Sequence, residues 1–537
     1  MLTIQITNSS GEELSCPDGK ITPEILAKSQ GKIRLEAEIP IIRINTVWHA
    51  GESAVPGMKL PWSLESNCGV NCSLPLLAFL DQKYSVTFAL GVTNGVDDSC
   101  FTCKMNQEKC CYEVVFTIAV TPETKPFEIF RDESGRPLNK VLNDYRKKLM
   151  PVIPEYPAEA WNPVYCTWYA VHAALTDEYL RRNAEEAVKL GFGTFIVDDG
   201  WSYDESKRVS PETLPDWYRD IGVWSCSGTK LPDLKNTVAH AQKLGLKYMF
   251  WVAPFFVGRR NPLNSSISRF LTNLHEGQRV YDPEDETANL ATMDSILQTF
   301  QSLGLDGLKI DFIDSVPSDI DHPRSRSVKK YLESLIGKLR NLKPDCLIEF
   351  RQKYATPLNA GLATAFRAGD VPFDYMENLN RCVQLRLILG DKIPVHADPV
   401  YFHPEESAEI VGCHMIASLA GVPMLSMELS SILPEHKNVI QNYLSFYREH
   451  RQILNYGKWN FELKNGSAVT AVCRKDDKEI VILTDPAFSE PVQKGCSGNG
   501  CILNMSPETV PFCGRIFDAE GKICMENQIP IGGRGEF

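Results

Sequence analysis

From about residue 160 to about residue 451, short apolar runs alternate with longer stretches whose apolar residues recur at helical spacing. That alternation constrains the fold more than any other feature of the chain. A run of strand, helix, strand points to parallel pairing, because parallel neighbours need a long crossover between them. The strand-like runs are 164–170, 194–200, 247–254, 307–313, 346–352, 363–370, 393–399 and 423–429. Helical patterns fall at 176–190, 234–244, 290–303, 326–342, 378–389, 404–420 and 434–451, and the link after the fifth run is the shortest. Eight such units over about 290 residues predict a (β/α)₈ TIM barrel.

The flanks read differently. Alternating stretches at 32–40 and 112–120, separated by turn-rich segments, predict an N-terminal β-sandwich over residues 1–135. A helical linker is expected over 136–159, with a helix near 138–148 and a proline-rich stretch at 151–157. The barrel is expected over 160–455. Alternating strands return after that, predicting a small antiparallel β-domain over 456–537. The chain is thus expected to be multidomain, with a central barrel between two β-structures.

Composition excludes some classes. A net charge of −12 and the lack of a basic cluster interleaved with aromatics argue against nucleic acid as a partner. No apolar run is long enough to span a bilayer, so no membrane association is expected. The opening Met-Leu-Thr-Ile-Gln-Ile-Thr alternates like a strand and lacks a signal-peptide pattern, and the 17 cysteines suit reduced thiols, so a cytoplasmic location is expected. Cys100, Cys103, Cys110 and Cys111 form a cluster whose spacing departs from common zinc motifs, so ordinary thiols are preferred over a metal site.

Barrel enzymes carry their chemistry at the C-terminal ends of the strands. Here five ends are polar: Asp198 and Asp199; Lys309, Asp311 and Asp314; Glu349, Arg351 and Gln352; Arg367 and Asp370; and His396 and Asp398. On the fourth run Lys309 and Asp311 share a face, so the cation is expected to keep the carboxylate ionised, as a nucleophile at an anomeric carbon requires. A structural Lys–Asp pair is the alternative. Leu308, Ile310 and Phe312 would face the surrounding helices. Asp370 is the expected proton donor and acceptor, with Asp374 as its rival and an N-cap or Asx turn as the plain alternative. Two carboxyls at about 5–5.5 Å would give retention. Asp198 and Asp199 are read as sugar-hydroxyl ligands and not metal ligands, since no third ligand accompanies them. Trp168, Trp201 and Trp224 are candidate platforms for a sugar face, although a single Trp is more often core.

With these residues in view, residues 161–451 resemble the melibiase-type α-galactosidases, glycoside hydrolase family 36 of clan D. The resemblance rests on Phe195-Ile-Val-Asp198-Asp199-Gly200-Trp201, on Trp224 followed by Pro232, on Tyr248-Met-Phe-Trp251-Val-Ala-Pro254, on Tyr281-Asp282-Pro, and on Gly307-Leu-Lys309-Ile-Asp311-Phe. It implies Asp311 as nucleophile and Asp370 as acid/base. Asp198 and Asp199 would hold the C4 and C6 hydroxyls, and Lys309 a ring hydroxyl. Trp201, Trp224, Trp251, Arg351, Arg367 and Asp374 complete the expected substrate-binding set.

The resemblance implies a retaining, exo-acting α-glycosidase for a terminal α-galactoside or a related sugar, with no cofactor and no metal. An oligosaccharide or glycoside is the expected partner, and a homo-oligomer is compatible with it. The alternatives are a galactosyl or glucosyl transferase of raffinose-synthase type, an α-N-acetylgalactosaminidase and, more remotely, a non-catalytic carbohydrate-binding protein. The sequence departs from the family at Glu349-Phe-Arg351-Gln352, which replaces a Cys/Ser-Gly-Gly segment near the C2 substituent. It departs again at Val223, after Asp282-Pro283, and at Arg367-Ala-Gly-Asp370. Arg351 could therefore meet an acidic substituent.

Overall fold

A computed structural model describes residues 3–51, 58–150, 152–464, 466–490, 493 and 499–537. Met1 and Leu2 of the opening alternation and Pro151 of the proline-rich link lie outside the described residues. The centre is an eight-stranded parallel sheet: Val164–Cys166, Thr194–Val197, Lys247–Val252, Gly307–Ile310, Leu347–Arg351, Ala365–Arg367, Val395–His396 and Met424–Leu425. These are barrel strands one to eight. The first and eighth pair directly. The seam between seven and eight is bridged by His396–Val422 and Val400–Leu425, so the sheet is nearly closed.

Each strand is shorter than the apolar run that announced it, because the chain leaves the ladder at the barrel mouth. The fourth run is the clearest case. Its strand ends at Ile310, and Phe312 adopts a left-handed φ of 56°. Phe312 therefore does not face the helices as the alternation predicts. It turns to pack at 4.9 Å on Phe256 and at 6.2 Å on Trp251.

Helices between the strands start where the sequence supplies caps. Thr176 accepts from the Tyr179 N–H ahead of helix Asp177–Leu190, and Gly191 closes it at φ 104°. Asp285 accepts from Ala288 N–H ahead of Glu286–Leu303.

Two antiparallel sheets, of five and six strands, precede the barrel. Their facing sides bury Ile33, Leu35, Phe101 and Phe116 against Leu77, Phe79 and Leu90, which makes a sandwich core. The sandwich also braces the barrel mouth. Asn71 donates to Ile313 O and Val316 O at 3.3 and 2.9 Å, just beyond Asp311. Asp98 accepts from the N–H groups of Arg324 and Ser325 at the start of helix Ser325–Leu342.

Within the sandwich Cys100 and Cys103 lie three residues apart on strand Ser99–Asn106. Cys103 is buried in the core and Cys100 half-exposed, so the four thiols do not converge. After the barrel comes a six-stranded sheet, mostly antiparallel, with one parallel pair between Lys478–Leu483 and Gly500–Asn504. Among the described residues no helix is long and apolar enough to cross a membrane.

Candidate active site

Alternation along the strands decides which side chains enter the barrel. Val164, Cys166, Ile196, Met249, Leu347 and Met424 form one buried cluster inside it. The next residues of the same parity, one step nearer the mouth, are polar: Asp198, Lys309, Asp311, Glu349, Arg351 and Arg367. Register places them side by side: Trp251 opposite Lys309, Lys309 opposite Glu349, Arg351 opposite Arg367, and Arg367 opposite His396.

Two arginines on adjacent strands demand counter-ions, and the neighbouring carboxylates supply them. Arg367 donates one Nη to Asp370 Oδ1 at 2.9 Å and to Asp398 Oδ1 at 2.5 Å. Arg351 donates Nη2 to Asp370 Oδ2 at 2.7 Å, while its Nη1 lies 3.7 Å from Asp311 Oδ1. One guanidinium thus touches both carboxylates expected to do the chemistry.

Asp311 is buried, and its two oxygens accept from the Phe312 N–H at 2.9 Å and the Trp251 indole N–H at 3.2 Å. Burial pushes its proton affinity up, but Arg351 first and then Lys309 and Arg367 outweigh it, so its pKa is lowered. Lys309 is not its main counter-ion, as the shared strand face suggested. Lys309 Nζ instead donates to Asp198 Oδ2 at 2.6 Å, within an almost fully buried pair. Burial alone would lower the Lys309 pKa, yet Asp198 raises it above the ordinary value.

Asp370 differs from the expectation in one respect. Burial raises its proton affinity, but its side chain is 40% exposed, and Arg367 and Arg351 hold the carboxyl below the usual range. In the free protein it is an anion. Asp374 is the N-cap of helix Tyr375–Leu389, its Oδ1 accepting from Glu377 N–H at 2.8 Å, a structural role that the sequence reading did not assign to it.

Asp198 and Asp199 part company. Asp198 faces the barrel, where the Cys166 thiol also donates to it at 3.2 Å. Asp199 turns to Tyr203 and Trp217, which donate to its Oδ2 at 2.7 and 2.8 Å. Its buried Oδ1 has no hydrogen-bond partner among the described residues. Burial raises the Asp199 pKa to about 7 against those two donors, and Asp198 adds to the rise.

The tryptophans need a correction as sugar platforms. Trp201, Trp224 and Trp251 are 1%, 0% and 2% exposed, so none offers a face to a ligand. They pack on one another at 5.7–6.1 Å. Trp201 donates to Trp251 O at 2.8 Å, which fixes the indole that reaches Asp311. Trp168 is half-buried against His172. Deeper in the barrel His396 Nδ1 meets Glu349 Oε2 at 2.6 Å and its Nε2 meets Ala160 O at 2.9 Å, a positioning network with no free nitrogen. Burial raises the Glu349 pKa, but that contact together with Lys309 and Arg367 outweighs it and lowers the pKa.

Sequence reasoning did not anticipate Tyr169, Tyr203 or Trp217: Tyr169 falls inside the first run but sits in the helical turn Trp168–Val171 that follows the strand, and the other two lie outside the runs. Tyr169 donates to Asp398 Oδ2 at 2.9 Å.

Residues 127–316, from the last sandwich strand through strand four and the Lys309–Asp311 segment, match the melibiase family. The chain is melibiase-like. It is similar to an alpha-galactosidase of Escherichia coli, 29% identical over 128 residues, which covers 24% of this chain and 17% of that protein. Alpha-galactosidase 1 of Pediococcus pentosaceus is 20% identical over 360 residues, 60% of this chain and 46% of that one. The melibiase-like chain therefore spans less than half the length of these curated relatives. Among solved structures, the GH36 alpha-galactosidase AgaA of Geobacillus stearothermophilus aligns at a TM-score of 0.62 and 14% identity, over 83% of this chain and 68% of that one. A variant of AgaA crystallised with raffinose aligns at 0.64 and 13% identity, over 94% and 77%. TtGalA of Thermus thermophilus, crystallised with stachyose, aligns at 0.57 and 16% identity, over 83% and 99%. At such identities the likeness establishes the fold: a melibiase-like barrel between two β-structures.

Proposed function

We propose that the protein is a glycoside hydrolase, a retaining and exo-acting α-glycosidase that removes a terminal α-galactose or closely related sugar from an oligosaccharide or glycoside. The observation that carries this reading is that Asp311 and Asp370 contact the same Arg351 guanidinium, so both carboxylates face one small space at the mouth. Asp311 is the nucleophile: it is buried, ionised, and fixed by two donors. It attacks the anomeric carbon as the bond to the leaving oxygen breaks, and Asp370 gives that oxygen its proton. Water, deprotonated by Asp370, then breaks the glycosyl ester and frees Asp311.

Asp370 acquires the proton for the first step only once the sugar is in place. A ring between the carboxylates displaces Arg351 and excludes water, and both changes raise the Asp370 pKa. The unpartnered Asp199 Oδ1 is an acceptor that a sugar hydroxyl satisfies, and Asp198 with Lys309 holds a second hydroxyl beside it. Buried free thiols such as Cys103 suit a reducing, cytoplasmic compartment.

The double arginine clamp on Asp370 is the one observation that favours a non-catalytic sugar-binding protein. One assay separates the readings: a panel of aryl α-glycosides (galacto, gluco, N-acetylgalactosamino, uronic), with the first-formed anomer read by NMR. The proposal expects fastest release from the galactoside, with the α anomer first. No turnover of any member, or the β anomer first, contradicts it. Repeating the assay with an added sugar acceptor separates hydrolysis from transfer.

A further inference from the structure

The loop that follows Asp370 holds a large aromatic side chain out in solvent. Phe373 is 59% exposed and has a left-handed φ of 69°, a conformation that costs free energy for any residue with a Cβ. Nothing leaves that cost to chance, because the loop is pinned on both sides. The Val371 N–H donates to Asp398 Oδ2 at 2.9 Å, and Asp374 caps the next helix. Between those anchors Phe373 stands in the loop that leaves the C-terminal end of strand six. Its ring meets Tyr401 at 5.0 Å, and Tyr401 meets Tyr169 at 5.7 Å. The Tyr169 hydroxyl returns to Asp398, which shares Arg367 with Asp370. An aromatic strip thus runs from solvent to the network around the expected acid/base residue. It stands on the side of Asp370, the carboxyl that must reach the leaving oxygen, while the buried tryptophans stand on the side of Asp311.

Resting on the glycosidase reading above, we infer that Phe373, backed by Tyr401, is the platform for the leaving-group sugar of an oligosaccharide substrate. A pyranose presents one face of C–H bonds, and an aromatic ring tilted at 55° against Tyr401 offers a matching apolar surface with little to desolvate. Exposure of Phe373 in the free protein is then the condition for its use. The anchors at Val371 and Asp374 hold the ring in place against the strain of its backbone.

The test compares two substrates that deliver the same sugar. Raffinose has a sugar as leaving group, whereas α-galactosyl fluoride loses only fluoride and places nothing on the platform. The ratio of kcat/KM for raffinose to kcat/KM for the fluoride is expected to fall about tenfold in F373A and to recover in F373W. Turnover of the fluoride by each variant also reports that it has folded. A ratio that F373A leaves unchanged overturns the inference. So does an equal loss on both substrates, including one accompanied by a changed oligomeric state, which would make Phe373 a contact between copies. If the wild type turns over neither substrate, the glycosidase reading itself fails, and the platform with it.

Discussion

Arg351 donates to Asp370 at 2.7 Å, so the residue expected to hand a proton to the leaving group is an ion-pair partner before any sugar arrives. A positive neighbour favours the anion, so removing it raises the Asp370 pKa. In R351A the alkaline limb of kcat/KM, where the acid loses its proton, is expected to move to higher pH by roughly one unit. A pH–rate profile with raffinose, whose leaving group needs the proton, reads it. A limb that stays put, or moves to lower pH, shows that Arg351 does not set the Asp370 proton affinity.

Lys309 and Asp198 form an almost fully buried pair, with side chains 7% and 3% exposed. Removing one partner leaves the other charge uncompensated in the barrel. K309M is therefore expected to cost roughly 3–5 kcal/mol in urea unfolding, and K309M/D198N distinctly less. A double variant as unstable as the single one would mean that the two charges do not depend on each other.

Asp398 is completely buried, and burial raises its pKa from 3.8 to about 7, with Arg367 opposing and Asp370 adding to the rise. The folded state holds this proton more tightly than the unfolded chain. Asp398 therefore withdraws stability as pH rises from about 4 to about 7, and the loss is complete above that. His172 and His414, lowered to about 4 chiefly by burial, act with the opposite sign in part of the same window, so a difference between proteins is the useful reading. The Tm of D398N minus that of the wild type is expected to be more positive at pH 7.5 than at pH 4.5. The reverse trend contradicts the burial argument.

Asp374 and Asp370 compete for the acid role in sequence, and the structure makes one a helix cap. D374A is expected to lose about 1 kcal/mol of stability, the usual worth of an N-cap, while kcat changes by less than about threefold. D370A is expected to lose about a hundredfold or more on substrates with poor leaving groups. Equal losses of kcat would return Asp374 to the site.

The barrel was legible because its strand runs are continuous, apolar and evenly spaced by helical patterns, and the polar strand ends marked the mouth without further help. Period-two alternation also places Glu349 with Arg351, and Lys309 with Asp311, on the inner face. Alternation fails where the ladder ends. Phe312 obeys its own left-handed φ, and Asp199 turns away from Asp198 toward Tyr203 and Trp217.

Partner choice was not legible either. Lys309 lies two residues from Asp311, yet it pairs with Asp198 two strands away, a neighbour that only the order and curvature of the sheet supply. Trp201 and Trp224 read as candidate platforms with core as the commoner alternative, and burial decides for core. Phe373 carried no sequence signal, since an aromatic in a short loop is ordinary until its exposure is known.

Trapping the glycosyl-enzyme tests the account most directly. Brief treatment with a 5-fluoro-α-galactosyl fluoride, followed by proteolysis and mass spectrometry, is expected to add one fluorosugar to the peptide that holds Asp311, and D311N is expected to abolish the adduct. A sugar attached to any other carboxylate, or no adduct on an enzyme that consumes the reagent, would contradict the assignment of Asp311 as nucleophile.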